Sequence, residues 1–533
     1  MYRYLLLLTL CFIIMKKLFW LLFLVSTIAK AQQADILIKN GKIVDGTGNS
    51  WTLGDVAVKD GKIVAKGHLD SWTATKTIDA TGLIVCPGFI DVHTHIEDLE
   101  KKDPEAKNFL YDGVTTVITG NCGTSHTDIK KYFEYLDDLK MSINIGSLVG
   151  HNDVRKAAMG TANRAPTEAE MQTMEGIVEK AMQDGAVGFS TGLIYIPGTY
   201  SKTDEVLRLA KAAAKYNGVY TSHIRNESDS VVIAVNEALR IAREAKMPVE
   251  ISHYKLVGEQ NWGRSKETIP LIIKAREEGI DATIDQYPYT ASSTNLGTMV
   301  PTWVLADGKD SIEARLSNPA VRKRITAKML RGLKERGLEH FSYAVVANYK
   351  PDKSYNGKSI EEVNTMLGKA HTAEEETNTV MDMIRDGGAS MVFHGMCEED
   401  VKAIMKYPFN MFASDGGIRV IGEGVPHPRS YGTNARVLGK YVREQKVIGL
   451  EEAIRRMTSL PAQKFQLKNI GLLCEGYNAD IMVFDEKTVN DLSTYDNPHQ
   501  YSVGFKYAIV NGQLTVENGK HNGTRNGRTV KRG

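Results

Sequence analysis

Apolar and polar positions alternate in short runs near both ends of the chain, and through the middle apolar positions recur at three and four. Ile36-Leu37-Ile38, Lys42-Ile43-Val44, Asp55-Val56-Ala57-Val58 and Lys62-Ile63-Val64 are broken by Asn40-Gly41, Asp45-Gly46 and Asp60-Gly61, the two-residue hairpin signal. Similar runs return at 480–484 and 507–516. The pattern predicts that 32–87 and 466–533 close into one small β-sandwich.

Between these ends strands and helices alternate, as in a parallel sheet with helical crossovers. The expected strands are 89–92, 115–119, 143–149, 186–190, 219–222, 249–252, 282–286 and 412–414. Helical periodicity is clearest over 167–184, 203–216, 229–245 and 266–278, where Asp or Thr often opens the run. Eight such strands predict an α/β fold of the (β/α)8 TIM-barrel type over 88–465, with chemistry at the carboxyl ends of the strands. The stretch from about 295 to 406 is too long for a loop. It carries helical runs at 319–331 and 360–367 and strand-like runs at 343–347 and 391–394, and so reads as an inserted lid subdomain. The Gly-, Asn- and Arg-rich tail from 519 to 533 is expected to be loosely ordered.

The first 31 residues stand outside this scheme. Lys16-Lys17, an apolar run over 18–28 and Ala29-Lys30-Ala31 give the charged, apolar and small-residue order of a secretory signal cut after Ala31. A second apolar run over 1–14 leaves two readings, a true start at Met15 or an uncleaved anchor over 1–28, and the completeness of the signal from Met15 favours the first. The expectation is an exported chain, periplasmic or extracellular, with no stable membrane insertion once the signal is removed. Cys11 lacks the small residues of a lipid-attachment site. Cys86, Cys122, Cys397 and Cys474 are too scattered to spell a disulfide framework, although the spacing leaves pairing open.

With 533 residues, 42% hydrophobic and 24% charged, the chain has the composition of a large globular enzyme. A net charge of +2 and a pI near 8.0 provide no basic field for nucleic acid, and that class of partner is excluded.

The candidate chemistry sits at the predicted strand ends. His93 and His95 follow the first strand two residues apart, a spacing that turns two side chains of an extended chain to the same side. Cys122 follows the second strand, His223 the fifth, His253 the sixth and Asp415 the eighth. On a barrel these distant positions converge. Imidazole and thiolate are the donors that zinc prefers, and an exported protein is suited to a redox-silent ion. Taken singly each residue has a plainer reading: a buried small hydrophobe for Cys122, structural histidines for His223 and His253, a turn aspartate for Asp415. His126, His151 and His394 keep that plainer reading. Zinc at such a site lowers the pKa of a bound water, and Asp415 is a group suited to proton transfer.

The segments Gly88-Phe89-Ile90-Asp91-Val92-His93-Thr94-His95, Gly120-Asn121-Cys122-Gly123, Ser222-His223-Ile224-Arg225, Ser252-His253-Tyr254-Lys255, Asp285-Gln286-Tyr287-Pro288-Tyr289, Ser414-Asp415-Gly416 and His427-Pro428-Arg429-Ser430-Tyr431-Gly432-Thr433 together resemble the N-acyl-D-amino-acid deacylases (D-aminoacylases) of the amidohydrolase superfamily. The resemblance implies that Cys122, His223 and His253 hold a tightly bound Zn²⁺. His93, His95 and Asp415 would form a weaker second position that Cys122 can bridge. It also implies Tyr195, Tyr287 and Ser293 as neighbours of Lys255 and Arg429 around the substrate. Many superfamily members place a carboxylated lysine at the end of strand four; Gly188-Phe189-Ser190-Thr191 stands there and contains none.

The expected activity is zinc-dependent hydrolysis of small-molecule N-acyl-D-amino acids, with Asp415 as general acid and base. Competing readings are an amidohydrolase acting on cyclic amides, imides or D-residue dipeptide-like amides, a hydrolase using Cys122 as nucleophile, and a zinc-binding envelope scaffold without turnover. Side-chain preference, metal stoichiometry and oligomeric state are not written in the sequence.

Overall fold

A computed structural model describes residues 32–97 and 103–532, together with residue 12 and residues 14–16. The secretory signal expected over 1–31 therefore lies almost wholly outside the described residues. Among those described, no helix is long and apolar enough to cross a membrane.

Strands from both ends of the chain pair in one nine-stranded sheet. Gln33–Ile43 pairs antiparallel with Thr52–Lys59, which pairs with Lys62–Gly67; at the other end Ile481–Phe484, Phe505–Val510 and Gln513–Glu517 form antiparallel neighbours. The join is Ile84–Pro87, parallel to Lys42–Ile43 on one side and antiparallel to Ile481–Phe484 on the other. Ile84–Pro87 is thus itself a sheet strand, and its four residues are buried. Alternate residues from the two halves, among them Ile38, Val56, Val58 and Ile63 with Ile481, Val483 and Ile509, meet in one apolar cluster. That shared interior follows from the period of two along each strand.

The central strands are all parallel. Phe89–Asp91, Val114–Thr119 and Asn144–Ser147 form one ladder, and Val149–Gly150, Gly188–Gly192, Val219–His223, Val249–Ile251, Ala282–Gln286 and Asn410–Phe412 form a second. The strand expected over 143–149 is broken at Leu148, which is why two ladders appear. A parallel bridge between Thr94 and Gly416 joins the outermost strand ends of the two ladders. Amphipathic helices lie between the strands. Glu168–Asp184 opens with a capping box in which Thr167 and Glu170 satisfy each other's backbone N–H, and it ends at Gly185, whose φ of 113° suits glycine.

Ala291–Asn295, Ser390–His394 and Ala344–Asn348 form a separate antiparallel sheet, packed with the helices Pro319–Glu335, Ile360–Met366 and Ala373–Arg385 around its own core of Leu333, Val346, Val363, Val380 and Met391. This unit begins at Ala291 and closes at His394. The helix Glu398–Met405 returns to the main core through Val401, Ile404 and Met405. The tail is not loose: Gly527 N donates to Met141 O, and Val530 N to Ile145 O at 2.8 Å, extending the ladder edge at Asn144–Ser147. Satisfying that exposed edge supplies the order that its composition does not suggest.

Candidate active site

Each candidate ligand lies at, or just beyond, the carboxyl end of a parallel strand. His223 closes Val219–His223; His253 follows Val249–Ile251 by two residues, Cys122 follows Val114–Thr119 by three, and Asp415 follows Asn410–Phe412 by three. The strand before His93 stops at Asp91, so His93 and His95 are brought together by a turn rather than by strand pleating. Asp91 makes that turn: it is buried, and its Oδ1 accepts from His93 N and from Ser414 N, each at 3.1 Å. Cys122, His253 and Asp415 have φ of 52°, 37° and 49°, a left-handed backbone that ordinary side chains resist and that concentrates at functional sites.

The donors meet. Cys122 Sγ lies 3.3 Å from His93 Nε2 and 3.6 Å from both His223 Nδ1 and His253 Nε2, while the two latter nitrogens are 2.7 Å apart. Asp415 Oδ1 lies 3.2 Å from His95 Nε2 and 3.7 Å from His93 Nε2. Two overlapping donor groups result, one of His93, Cys122 and His253 and one of His93, His95 and Asp415. A tetrahedral zinc site with Zn–S about 2.3 Å and Zn–N about 2.0–2.1 Å has donor–donor edges of roughly 3.3–3.6 Å. The sulfur edges match that spacing, and the histidine–histidine edge is shorter. One soft sulfur among buried imidazoles is a donor set that suits zinc.

Carboxylates stand behind two of the imidazoles. Asp285 Oδ2 is hydrogen-bonded to His93 Nδ1 at 3.2 Å, which turns the ring's Nε2 inward, and Glu227 Oε1 is 3.0 Å from His253 Nδ1, a nitrogen that Lys255 Nζ also meets at 2.7 Å. Asp285 Oδ1 also accepts from His253 N at 2.9 Å. The roles of Glu227 and Asp285 escape sequence reasoning. Glu227 sits in a loop with no periodic signal, and Asp285 is visible only as part of the Asp-Gln-Tyr-Pro-Tyr run.

Charge follows from this packing. Burial alone raises the Cys122 thiol, but the adjacent His93 and hydrogen bonds from His223 and His253 outweigh it and hold the group well below the usual thiol range. Burial likewise opposes ionisation of Asp415, yet Arg429, His93 and His95 keep its carboxyl well below the usual range. Burial and the neighbouring His253 lower His223.

Of the remaining candidates, Tyr195, Ser293 and Arg429 line a cavity of about 900 Å³ together with His95, Cys122 and Asp415, and Tyr287 and Lys255 lie outside its lining. Arg429 Nη1 is 2.8 Å from Asp415 Oδ2, and its Nη2 donates to Ser293 O at 3.2 Å. Tyr287 lies under this guanidinium at 4.6 Å, its hydroxyl buried without a hydrogen-bond partner among the described residues. Tyr195 packs edge-on against His223 at 4.9 Å and is hydrogen-bonded to Thr294, and the Ser293 hydroxyl donates to Met391 O. Lys255 is set back from the cavity, its ammonium 2.6 Å from Glu227 Oε1. His151, by contrast, pairs with Glu205, and His126 stacks on Tyr132. Cys86, Cys122, Cys397 and Cys474 are all unpaired.

The family model described as "Amidohydrolase family" matches residues 76–516. The chain is 32% identical to the D-aminoacylase of Alcaligenes xylosoxydans xylosoxydans, over 94% of its own length and 98% of that protein's. A crystal structure of the N-acyl-D-glutamate deacylase from Bordetella bronchiseptica, complexed with zinc and a phosphonate inhibitor that mimics the tetrahedral intermediate, superposes with a TM-score of 0.80. It is 35% identical and covers 94% of this chain and 100% of that one. A D-aminoacylase structure described by its binuclear metal centre, with one-metal activation and second-metal attenuation, has a TM-score of 0.79 at 31% identity, covering 94% and 100%.

Proposed function

The chain belongs to the amidohydrolase family, and from that premise we propose that it hydrolyses the amide bond of N-acyl-D-amino acids to a carboxylate and a free D-amino acid. The observation that carries this reading is the close approach of Cys122, His223, His253, His93, His95 and Asp415 beside a cavity that His95, Cys122, Asp415 and Arg429 line. Cys122, His223 and His253 would hold the tightly bound Zn²⁺, and His93, His95 and Asp415 a weaker second position. Zinc there supplies Lewis acidity to the acyl carbonyl and lowers the pKa of the attacking water toward about 7.

The chain's own groups do the rest. Asp415, kept ionised by Arg429 and the histidines, accepts the water proton on Oδ1 and delivers it to the departing amine, which a poor leaving group requires. Arg429 offers the bidentate fork for the substrate α-carboxylate, with Tyr195, Tyr287 and Ser293 beside it and Lys255 adding positive charge from behind Glu227. Fixing the carboxylate on one side of the metal leaves one hand of the α-carbon able to present its acyl carbonyl.

The parallel strands joined through Thr94 and Gly416 support a closed (β/α)8 barrel over 88–465, with the unit inserted between about 295 and 406 as its lid and the sheet of both termini as a small β-sandwich. The leader pattern over 15–31 supports export to the periplasm or beyond. Steady-state assays of metal-analysed protein on N-acetyl-D- and N-acetyl-L-amino acids, hydantoins and D-residue dipeptides test the reading. Zinc-dependent turnover confined to the N-acyl-D-amino acids is expected, and a preference for cyclic amides would replace it.

A further inference from the structure

A second cluster of metal-ligating side chains lies in the inserted unit and takes no part in the chemistry above. His340, in the turn after the helix Pro319–Glu335, stacks face to face on His371, in the turn between Ile360–Met366 and Ala373–Arg385. Their ring centroids are 4.3 Å apart and their planes 9° from parallel. Glu376 is fully buried; its Oε1 meets His340 Nδ1, and its Oε2 accepts from Phe341 N at 2.7 Å. On the other side Glu361 Oε1 is 2.7 Å from His371 Nε2. One donor atom each from His340, His371 and Glu376 falls within 4.8 Å of the others, and none of the four residues lines the catalytic cavity.

Two imidazoles and a buried carboxylate offer three donors to a borderline divalent ion, and Glu361 is the acidic hydrogen-bond partner of one imidazole. We propose that His340, His371 and Glu376 form a structural zinc site distinct from the catalytic centre, with Glu361 orienting His371 from its other side. In the stack the two ring planes are nearly parallel and their in-plane nitrogens do not point at one ion, so binding needs a rotation of the His371 ring out of the stack. His371, whose side chain is 61% exposed, is free to make it. The ion ties the 337–341 turn to the first turn of the helix Ala373–Arg385.

The test uses the full chain with its catalytic metal loaded. Wild type, His371→Ala and Glu361→Gln are equilibrated with excess zinc chloride and gel-filtered, zinc per chain is counted, and Tm is followed across a zinc series. The expected result is one zinc fewer per chain in His371→Ala, loss of the corresponding zinc-dependent rise in Tm, and turnover within twofold of wild type, with Glu361→Gln binding that zinc more weakly. Equal zinc content and equal Tm shifts in all three proteins would overturn the proposal. So would a zinc loss accompanied by loss of turnover, which would place the missing ion in the catalytic centre.

Discussion

Arg429 reaches across the site to Asp415, its Nη1 2.8 Å from the Oδ2 of a carboxylate whose other oxygen faces His95. The candidate anchor for the substrate and the candidate proton carrier are therefore one electrostatic unit before substrate binds. Replacing Arg429 by Lys keeps the charge and removes the fork. The expected loss in kcat/KM is about 1.5–3 kcal/mol, or roughly 10- to 150-fold, carried mainly by KM, as steady-state assays on N-acetyl-D-amino acids would register.

Asp415→Asn leaves the thiolate and imidazole donors in place and takes away the proton acceptor. Turnover should fall by about 10²–10⁴-fold while the tightly bound zinc is retained. Parallel kinetics and metal counts check this, and unchanged turnover would remove Asp415 from its role.

Asp285→Asn tests how the imidazoles are aimed. With its acidic partner at 3.2 Å weakened, His93 is free to rotate, and metal affinity should drop about 10- to 100-fold in competition with a chelator. Equal affinity in the two proteins would mean that packing alone orients the ring.

A prediction about stability concerns Glu205, which accepts from Arg155 Nη1 at 2.6 Å and meets His151 at 3.0 Å in the buried interior. Burial raises its pKa, but His151 and Arg155 bring the balance below the ordinary glutamate value of 4.5. Glu205→Gln leaves Arg155 as a buried, uncompensated charge and should cost about 3–5 kcal/mol in urea unfolding. Because the folded pKa is depressed, the carboxylate's contribution is complete above the unfolded value near 4.5 and is lost as pH falls through the folded one. The gap in Tm between wild type and variant should therefore be widest near neutrality and narrow in acid.

How much of this is legible in the sequence depends on the kind of residue. His93, His95, Cys122, His223, His253 and Asp415 are readable because each follows a run of apolar residues that ends in a turn. Glu227 is not, because its work depends on a loop folding back onto His253. The left-handed backbone at Cys122, His253 and Asp415 leaves no compositional trace, since none of these is glycine. Ile84–Pro87 shows no alternation, being four apolar residues between Gly82 and Gly88, yet it joins the two halves of the terminal sheet. Glycine and asparagine in the tail suggest looseness, and a free ladder edge at Asn144–Ser147 orders it.

The central claim is that residues far apart in the chain hold a single catalytic ion. Anomalous diffraction at the zinc edge, from crystals of protein purified without chelator, tests it most directly. The account predicts a peak about 2.3 Å from Cys122 Sγ and about 2.0–2.1 Å from a nitrogen of both His223 and His253. Fully occupied zinc elsewhere in the molecule, with no peak among these three residues in active protein, would contradict it.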